Sequence, residues 1–355
     1  MERINFGVFD HVERSTGEGP LHRLYEERLR LVEAYDQAGM WGYHVAQHHA
    51  TPLGMAPSPN LFLSAAAPRT RHLRLGALVY LLPFYSPLRL LEELCMLDHL
   101  SNGRLEIGVG RGVSPFELGA HRIPYYESRN IYEDALAVLV KGFTSERLTH
   151  QGPHFRYDNV AMELRPLQQP HPGFWYGVIS TDTAIYAARR GMNIVSLGPL
   201  EMVRRVVDAY REHHAEAVGS PLNVNPHLIR PVTGAIRHIY IAESDREALE
   251  VGRGAYRVFY DNIQKLWRDF GTTAAAFPPD FDIFHKVGAA YCGSVGTVRE
   301  QIGKFVEGSG CDYLVLAFAW GNLTAAQARR SFDLFATKIM PEFARPASVT
   351  SHARE

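Results

Sequence analysis

Short apolar, β-branched runs alternate with longer amphipathic runs along almost the whole chain, and this alternation limits the fold more than any other feature. Strands are expected at 5–9, 43–47, 73–82, 104–109, 175–179, 193–197, 233–242 and 313–319. Helices are expected at 21–38, near 59–67, and at 87–100, 128–142, 183–190, 201–217, 245–267, 297–307 and 325–340. The strand interiors are nearly continuous in apolar residues, as strands buried on both faces of a parallel sheet must be. Eight βα units favour one closed (β/α)8 TIM barrel with insertion loops over an open doubly wound sheet. An open nucleotide-binding sheet should carry a Gly-rich turn after its first strand, and none follows here.

The barrel is expected to occupy 1–345, with 346–355 a flexible tail. Two stretches interrupt the alternation. Residues 149–173 are less regular, and 271–289, with Pro278 and Pro279, form a break long enough to suggest a lid or a disordered loop.

Lys and Arg number 37 against 38 Asp and Glu, a net charge of −1, so no basic excess points to nucleic acid or an anionic membrane surface. A small-molecule substrate is the default. The most apolar stretch, 75–83, is too short to cross a bilayer, and the start, MERINFGVFDHVER, lacks an apolar signal core. Cys95, Cys292 and Cys311 are widely spaced and odd in number, which fits neither a disulfide framework nor a zinc site. A reducing cytoplasm is the expected location.

In a parallel barrel the reacting groups sit at the C-terminal ends of the strands. Those ends read Gln47-His48-His49, Pro83, Gly110-Arg111-Gly112, Ser180 and Gly198. A histidine at a strand end is usually structural. A pair, His48 and His49, followed by a loop rich in Gly and Pro, is a better acid–base candidate, because imidazole titrates near neutrality. Zinc would need three or four convergent ligands, which the other strand ends do not supply, so no metal is expected. GVGRG at 108–112 falls short of a dinucleotide fingerprint, since Val113 stands where the third glycine would be. Arg111 is then either an anion ligand or one half of a structural salt bridge. Ser180-Thr181-Asp182-Thr183 opens a helix, and reads equally as an N-cap or as a phosphate site. Ser128-Arg129 at the start of another helix completes a plausible clamp of two arginines and hydroxyls.

At these residues the chain resembles the bacterial luciferase-like flavin-dependent monooxygenase family. The resemblance is carried by GYHVAQHHATPLGMAPSPNLFLSAAAPRTRHLRLGALVYLLPFYSPLRLLEELCMLDHLSNGRLEIGVGRG, by YESRNIYEDAL, by WYGVISTDTAIYAARRG, and by a C-terminal GSVGTVREQIGKFVEGSGCDYLVLAFAWG…IMPEF. It spans essentially the whole chain. It implies a two-component monooxygenase of a small organic substrate, using O2 and reduced FMN through a C4a-(hydro)peroxyflavin, with a separate NAD(P)H:flavin reductase. His48 matches the family's catalytic histidine and His49 its neighbour. Arg111, Arg129, Ser180 and Thr183 match the FMN-phosphate ligands. Leu78 and Val79 fall where the family has a non-prolyl cis peptide beneath the flavin ring. The resemblance also implies a homodimer through the helices near 59–67 and 87–100.

Three positions depart from luciferase: Gln47 replaces an acid, Gly110 a cysteine beside the flavin, and Ile179 a glutamate near the phosphate. Light emission is therefore not expected. Two alternatives stay open: an oxidoreductase of the same fold using F420, and a non-catalytic flavin-binding subunit. Phe84, Tyr85, Trp175 and Trp320 near strand ends suggest an apolar or aromatic substrate, although such residues are more often core.

Overall fold

The computed structural model describes residues 3–15, 19–273 and 277–345. Its strands are β1 (Asn5–Asp10), β2 (Gly42–Val45), β3 (Arg74–Leu81), β4 (Leu105–Gly110), β5 (Arg147–Gln151), β6 (Arg156–Ala161), β7 (Phe174–Val178), β8 (Asn193–Ser196), β9 (Thr233–Ile241), β10 (Ala290–Gly293) and β11 (Tyr313–Ala317). Between them run α1 (Leu21–Gln37), α2 (Pro59–Ala66), α3 (Pro87–Leu100), α4 (Pro115–Ala120), α5 (Ser128–Thr144), α6 (Thr181–Ala188), α7 (Leu200–His214), α8 (Asp245–Asp269), α9 (Phe281–Lys286), α10 (Val295–Gly308) and α11 (Ala325–Lys338). None of these helices is long and apolar enough to cross a membrane. The expected 346–355 tail lies outside the described residues.

Eight parallel strands close the barrel in the order β9-β11-β1-β2-β3-β4-β7-β8, with β8 returning to β9. All eight sequence-predicted strands are present at their expected places, with no end shifted by more than two residues. The closing seam was not foreseen. Thr233 to Ala235 of β9 pair with β8, whereas His238 to Ile241 pair on the same edge with β10. β10 is four residues long and contains a glycine, too short to register as a strand in the sequence. The irregular stretch at 149–173 also holds structure: β5 and β6 form an antiparallel hairpin docked on α5 by Asp134.

Strands buried on both faces form because Leu, Val, Ile and aromatic residues fill alternate layers; all nine residues of β9 are buried. One layer fills the barrel interior with Phe9, Ala46, Leu78, Trp175, Val195, Ile236, Tyr313 and Val315. Its polar atoms are bonded to neighbouring side chains: the Trp175 indole donates to Glu106 at 2.5 Å, Glu106 pairs with Arg74, and the Tyr313 hydroxyl bonds His44 at 2.8 Å. Trp175 and Trp320 are thus core residues, both fully buried. The helices begin where capping chemistry places them. Ser244, Ser294 and Thr324 each accept a bond from the third residue of their helix, and Pro87 opens α3.

Candidate active site

The ends of β2, β3 and β4 stand side by side, so His48 and His49, Leu78–Val79, and Gly110–Arg111 are brought together. The Leu78–Val79 peptide is cis, at the place the resemblance implied, and the β3–β4 register shifts across it. The glycines of GVGRG explain themselves there. A Cβ on Gly108 would lie 2.3 Å from the carbonyl oxygen of Ala77 and 2.7 Å from the Leu78 side chain; one on Gly110 would lie 2.6 Å from Val79. Glycine at both positions lets β4 approach the cis segment and leaves a surface without side chains beside it.

His48 lies in the loop beyond β2, and its orientation comes from a residue the sequence did not single out. Ser114 caps α4 through the Glu117 amide at 3.2 Å, and Pro115 opens its first turn. This places the Glu117 carboxylate inward, 4% exposed, against the histidine pair. One oxygen, Oε1, accepts from His48 Nδ1 at 3.2 Å and from the backbone N–H of His49 at 2.7 Å. Burial pushes the Glu117 carboxyl up, but the bonds from His48 and His49 outweigh it and hold the group below the ordinary glutamate range. The signal in the sequence was S-P-F-E at 114–117, a helix start of the form Ser-x-x-Glu. Ordinarily such a glutamate turns back to its own cap; here it turns to the histidines.

Around this dyad burial depresses several imidazoles. His49 is held down to about 4, by burial first and by His121 second. Its Nε2 lies 2.7 Å from Gln47 Nε2, and its Nδ1 lies 3.3 Å from His121 Nε2. His121 in turn stacks on Phe84, with ring centroids 4.3 Å apart. His11, at the end of β1, sits 5.6 Å ring to ring from His48, and burial holds it well below the ordinary histidine range. Beyond it, Phe259, Phe284 and Trp320 surround His238, which burial holds at about 3. The described part of 271–289 forms a wall of this region. Phe281 and Phe284 are buried, Phe277 packs edge-on to Phe259, and Tyr256 donates to the Pro278 carbonyl at 2.5 Å.

A second, cationic cluster lies next along the barrel rim. Arg111 reaches Ser128 Oγ at 3.4 Å and Tyr125 Oη at 3.2 Å and lies over the Tyr125 ring. No carboxylate among the described residues pairs with it, so the structural salt bridge is not what holds Arg111. Arg129 donates to Tyr176 Oη on β7 at 3.4 Å, lies 4.6 Å above the Tyr186 ring, and approaches Glu133 to 3.6 Å. Ser180 and Thr183 form a reciprocal capping box: Thr183 N donates to Ser180 Oγ at 3.3 Å and Ser180 N to Thr183 Oγ1 at 3.0 Å. The capping reading of these residues therefore holds. The first-turn N–H groups of Thr181 and Asp182 still point out of the helix end, as at any helix start. Ser128 bonds Arg111, and Arg129, the next residue, reaches Tyr176 on β7 and Tyr186 in α6, the helix that Ser180 and Thr183 open. Among the described residues, no group of three or more His, Cys, Asp or Glu side chains is placed to hold a metal ion.

The family model of luciferase-like monooxygenases matches residues 4–312. An uncharacterized protein, y4wF, of Sinorhizobium fredii is 38% identical over 325 residues, covering 90% of this chain and 92% of the relative. The oxygenase component of a flavin-dependent trigonelline monooxygenase from Acinetobacter baylyi is 29% identical over 260 residues, covering 73% and 70%. Among solved structures, monooxygenase RslO1 from Streptomyces bottropensis superposes with a TM-score of 0.83 at 27% identity, over 96% of this chain and 100% of that one. The oxygenating constituent of 3,6-diketocamphane monooxygenase from Pseudomonas putida, in complex with FMN, gives 0.80 at 20% identity over 97% and 100%, a likeness of fold.

Proposed function

Because the chain belongs to the luciferase-like monooxygenase family, we propose that it is the oxygenase of a two-component system: it takes reduced FMN from a separate NAD(P)H:flavin reductase and uses O2 to oxygenate a small organic substrate. The observation that carries this reading is the placement of an acid-free Arg111 at the end of β4 and a carboxylate-oriented His48 at the end of β2, with the cis segment of β3 between them. Similarity to an oxygenase component from Acinetobacter supports the separate reductase.

The residues fit a flavin phosphate and ring. Arg111, Arg129, Ser180 and Thr183 would hold the phosphate, two guanidiniums beside a helix start being a ready anion site. Leu78, Val79 and Gly110 would form the surface beneath the ring, where a Cβ at Gly110 leaves no room. When bound, reduced FMN supplies the electrons that activate O2. The protein's own part is proton handling and exclusion of water. His48 donates from Nδ1 to Glu117, which leaves Nε2 free to give or take a proton as oxygen is transferred. The rings beside the histidine pair, His11 against His48 and Phe84 against His49, favour an uncharged, largely apolar substrate.

The chain is proposed to pair with a second copy through α2 and α3. These helices present Leu61, Met96 and Leu100, 75%, 54% and 58% exposed, among exposed polar neighbours such as Arg89 and Glu92. Three buried free cysteines suit a reducing cytoplasm.

The test is oxygen uptake with reduced FMN, supplied by an added flavin reductase, across a panel of aldehydes, ketones, aromatics and sulfur compounds. Substrate-dependent O2 consumption with oxygenated product is expected. Tight binding of reduced F420 with hydride transfer and no O2 consumption would replace this reading with that of an F420 oxidoreductase, and flavin binding without turnover would leave a binding subunit.

A further inference from the structure

Gln47 stands where luciferase has an acid, and its surroundings fix which way its amide points. Gln47 Oε1 accepts from the Leu81 backbone N–H at 2.9 Å and from the Tyr85 hydroxyl at 3.0 Å. Turning the amide over would set its NH2 against the Leu81 N–H, donor against donor, in a buried place, so the orientation is determined by the network. The NH2 group then faces His49 Nε2 at 2.7 Å and can only donate to it.

We propose that Gln47 is a tautomer-setting residue, holding His49 as the neutral imidazole with its proton on Nδ1 and so leaving His48 as the proton-transferring member of the pair. A lone pair on His49 Nε2 requires the proton on Nδ1, which is directed at His121 Nε2, 3.3 Å away. That nitrogen must accept, so the His121 proton lies on its own Nδ1. The chain of bonds from Leu81 through Gln47 and His49 to His121 thus runs in one direction. The groups facing His49 from other elements agree with it. Glu117, on α4, is already occupied by His48 and by the His49 backbone N–H, and Phe84 presents its ring edge-on at 5.0 Å. A doubly protonated His49 would place an N–H against the Gln47 NH2 and is excluded. His48, bonded through Nδ1 to a carboxylate, carries no such restriction at Nε2. An acid at position 47 would do the opposite. It would still accept from Leu81 and Tyr85, but would accept from His49 as well, moving that proton to Nε2 and favouring the imidazolium.

The tautomer stands independently of the oxygenase reading; only its consequence for proton transfer rests on it. The experiment is a long-range 1H–15N correlation on the ligand-free chain labelled with 15N-histidine, the His49 signals being assigned by their loss in His49→Asn. The expected wild-type result is a pyrrole-like Nδ1 and a pyridine-like Nε2 for His49 throughout the neutral range. In Gln47→Glu, which keeps the shape and both accepted bonds, the pattern inverts or becomes doubly protonated, and His49 binds its proton at least tenfold more tightly. Wild-type His49 protonated on Nε2 overturns the proposal, as does an unchanged pattern in a folded Gln47→Glu. If that variant does not fold, the wild-type spectrum decides alone. A confirmed tautomer in a chain that consumes no O2 would leave this inference standing and remove the oxygenase reading instead.

Discussion

Replacing Glu117 by glutamine isolates the electrostatic part of what this residue does for His48. Both bonds to the histidine pair land on the same oxygen, at 3.2 Å from His48 Nδ1 and 2.7 Å from the His49 backbone N–H. An amide oxygen can take both, so geometry is retained and only the negative charge is lost. Opposite unit charges at that separation attract by about 5 kcal/mol at an effective dielectric of about 20. The His48 side chain is 25% exposed, so solvent screening reduces the effect of losing the charge to about 1.5–2 kcal/mol. Glu117→Gln should therefore slow product formation about 10- to 30-fold, with hydrogen peroxide rising in proportion while thermal stability hardly changes. Glu117→Ala should do this and also leave the His49 N–H without its partner, costing about 1–3 kcal/mol of stability. Product and peroxide are measured in the same reaction, with reduced flavin supplied continuously, and melting is followed separately. Wild-type coupling in Glu117→Gln, with only a lowered melting temperature in Glu117→Ala, would show that Glu117 is a structural tether and that the orientation argument is wrong.

Three further outcomes are expected. Arg111→Ala should weaken FMN binding by about 2 kcal/mol, roughly 30-fold in Kd by fluorescence titration, without altering the melting temperature, because no carboxylate of the described residues loses a partner; intact binding in a destabilised protein would contradict this. His48→Ala should cut product formation by about 10²–10⁴ while O2 is still consumed and released as hydrogen peroxide, and retained coupling would assign the proton to another group. Burial depresses His49 and His171 to about 4 and His44 and His238 to about 3, so the folded state binds fewer protons than the unfolded chain. Their stabilising contribution is complete above the unfolded histidine value, about 6.5, and is lost as pH falls from there toward the folded values; a melting temperature flat from pH 7 to 5 would refute this.

The order of strands and helices was legible because it rests on local rules. Period-two and period-3.6 patterns, proline at helix starts and serine caps act over a few residues, and the strands of the closed barrel follow from them. So did the locations of His48, Arg111, Arg129 and Ser180, since a strand end or a helix start is itself a local feature. The same local rules gave no warning of β10, whose four residues become a strand only because β9 outruns β8 and leaves an edge to be paired.

What the sequence left undecided is who touches whom across the closed barrel. Arg111 read as a salt bridge or an anion ligand until the rim showed only Ser128 and Tyr125 within its reach among the described residues. Ser180 and Thr183 turned out to satisfy each other, a pairing the sequence permitted but did not require. Glu117 lies 69 residues from His48, and Gln47 accepts from Leu81 and Tyr85, 34 and 38 residues away. Local propensity can say that Glu117 sits in the first turn of a short helix and that Gln47 ends a strand. Which way their side chains face depends on strand register and on barrel closure. Those are set by burial summed over the whole core, and so the orientation of the histidine pair was decided by the tertiary structure alone.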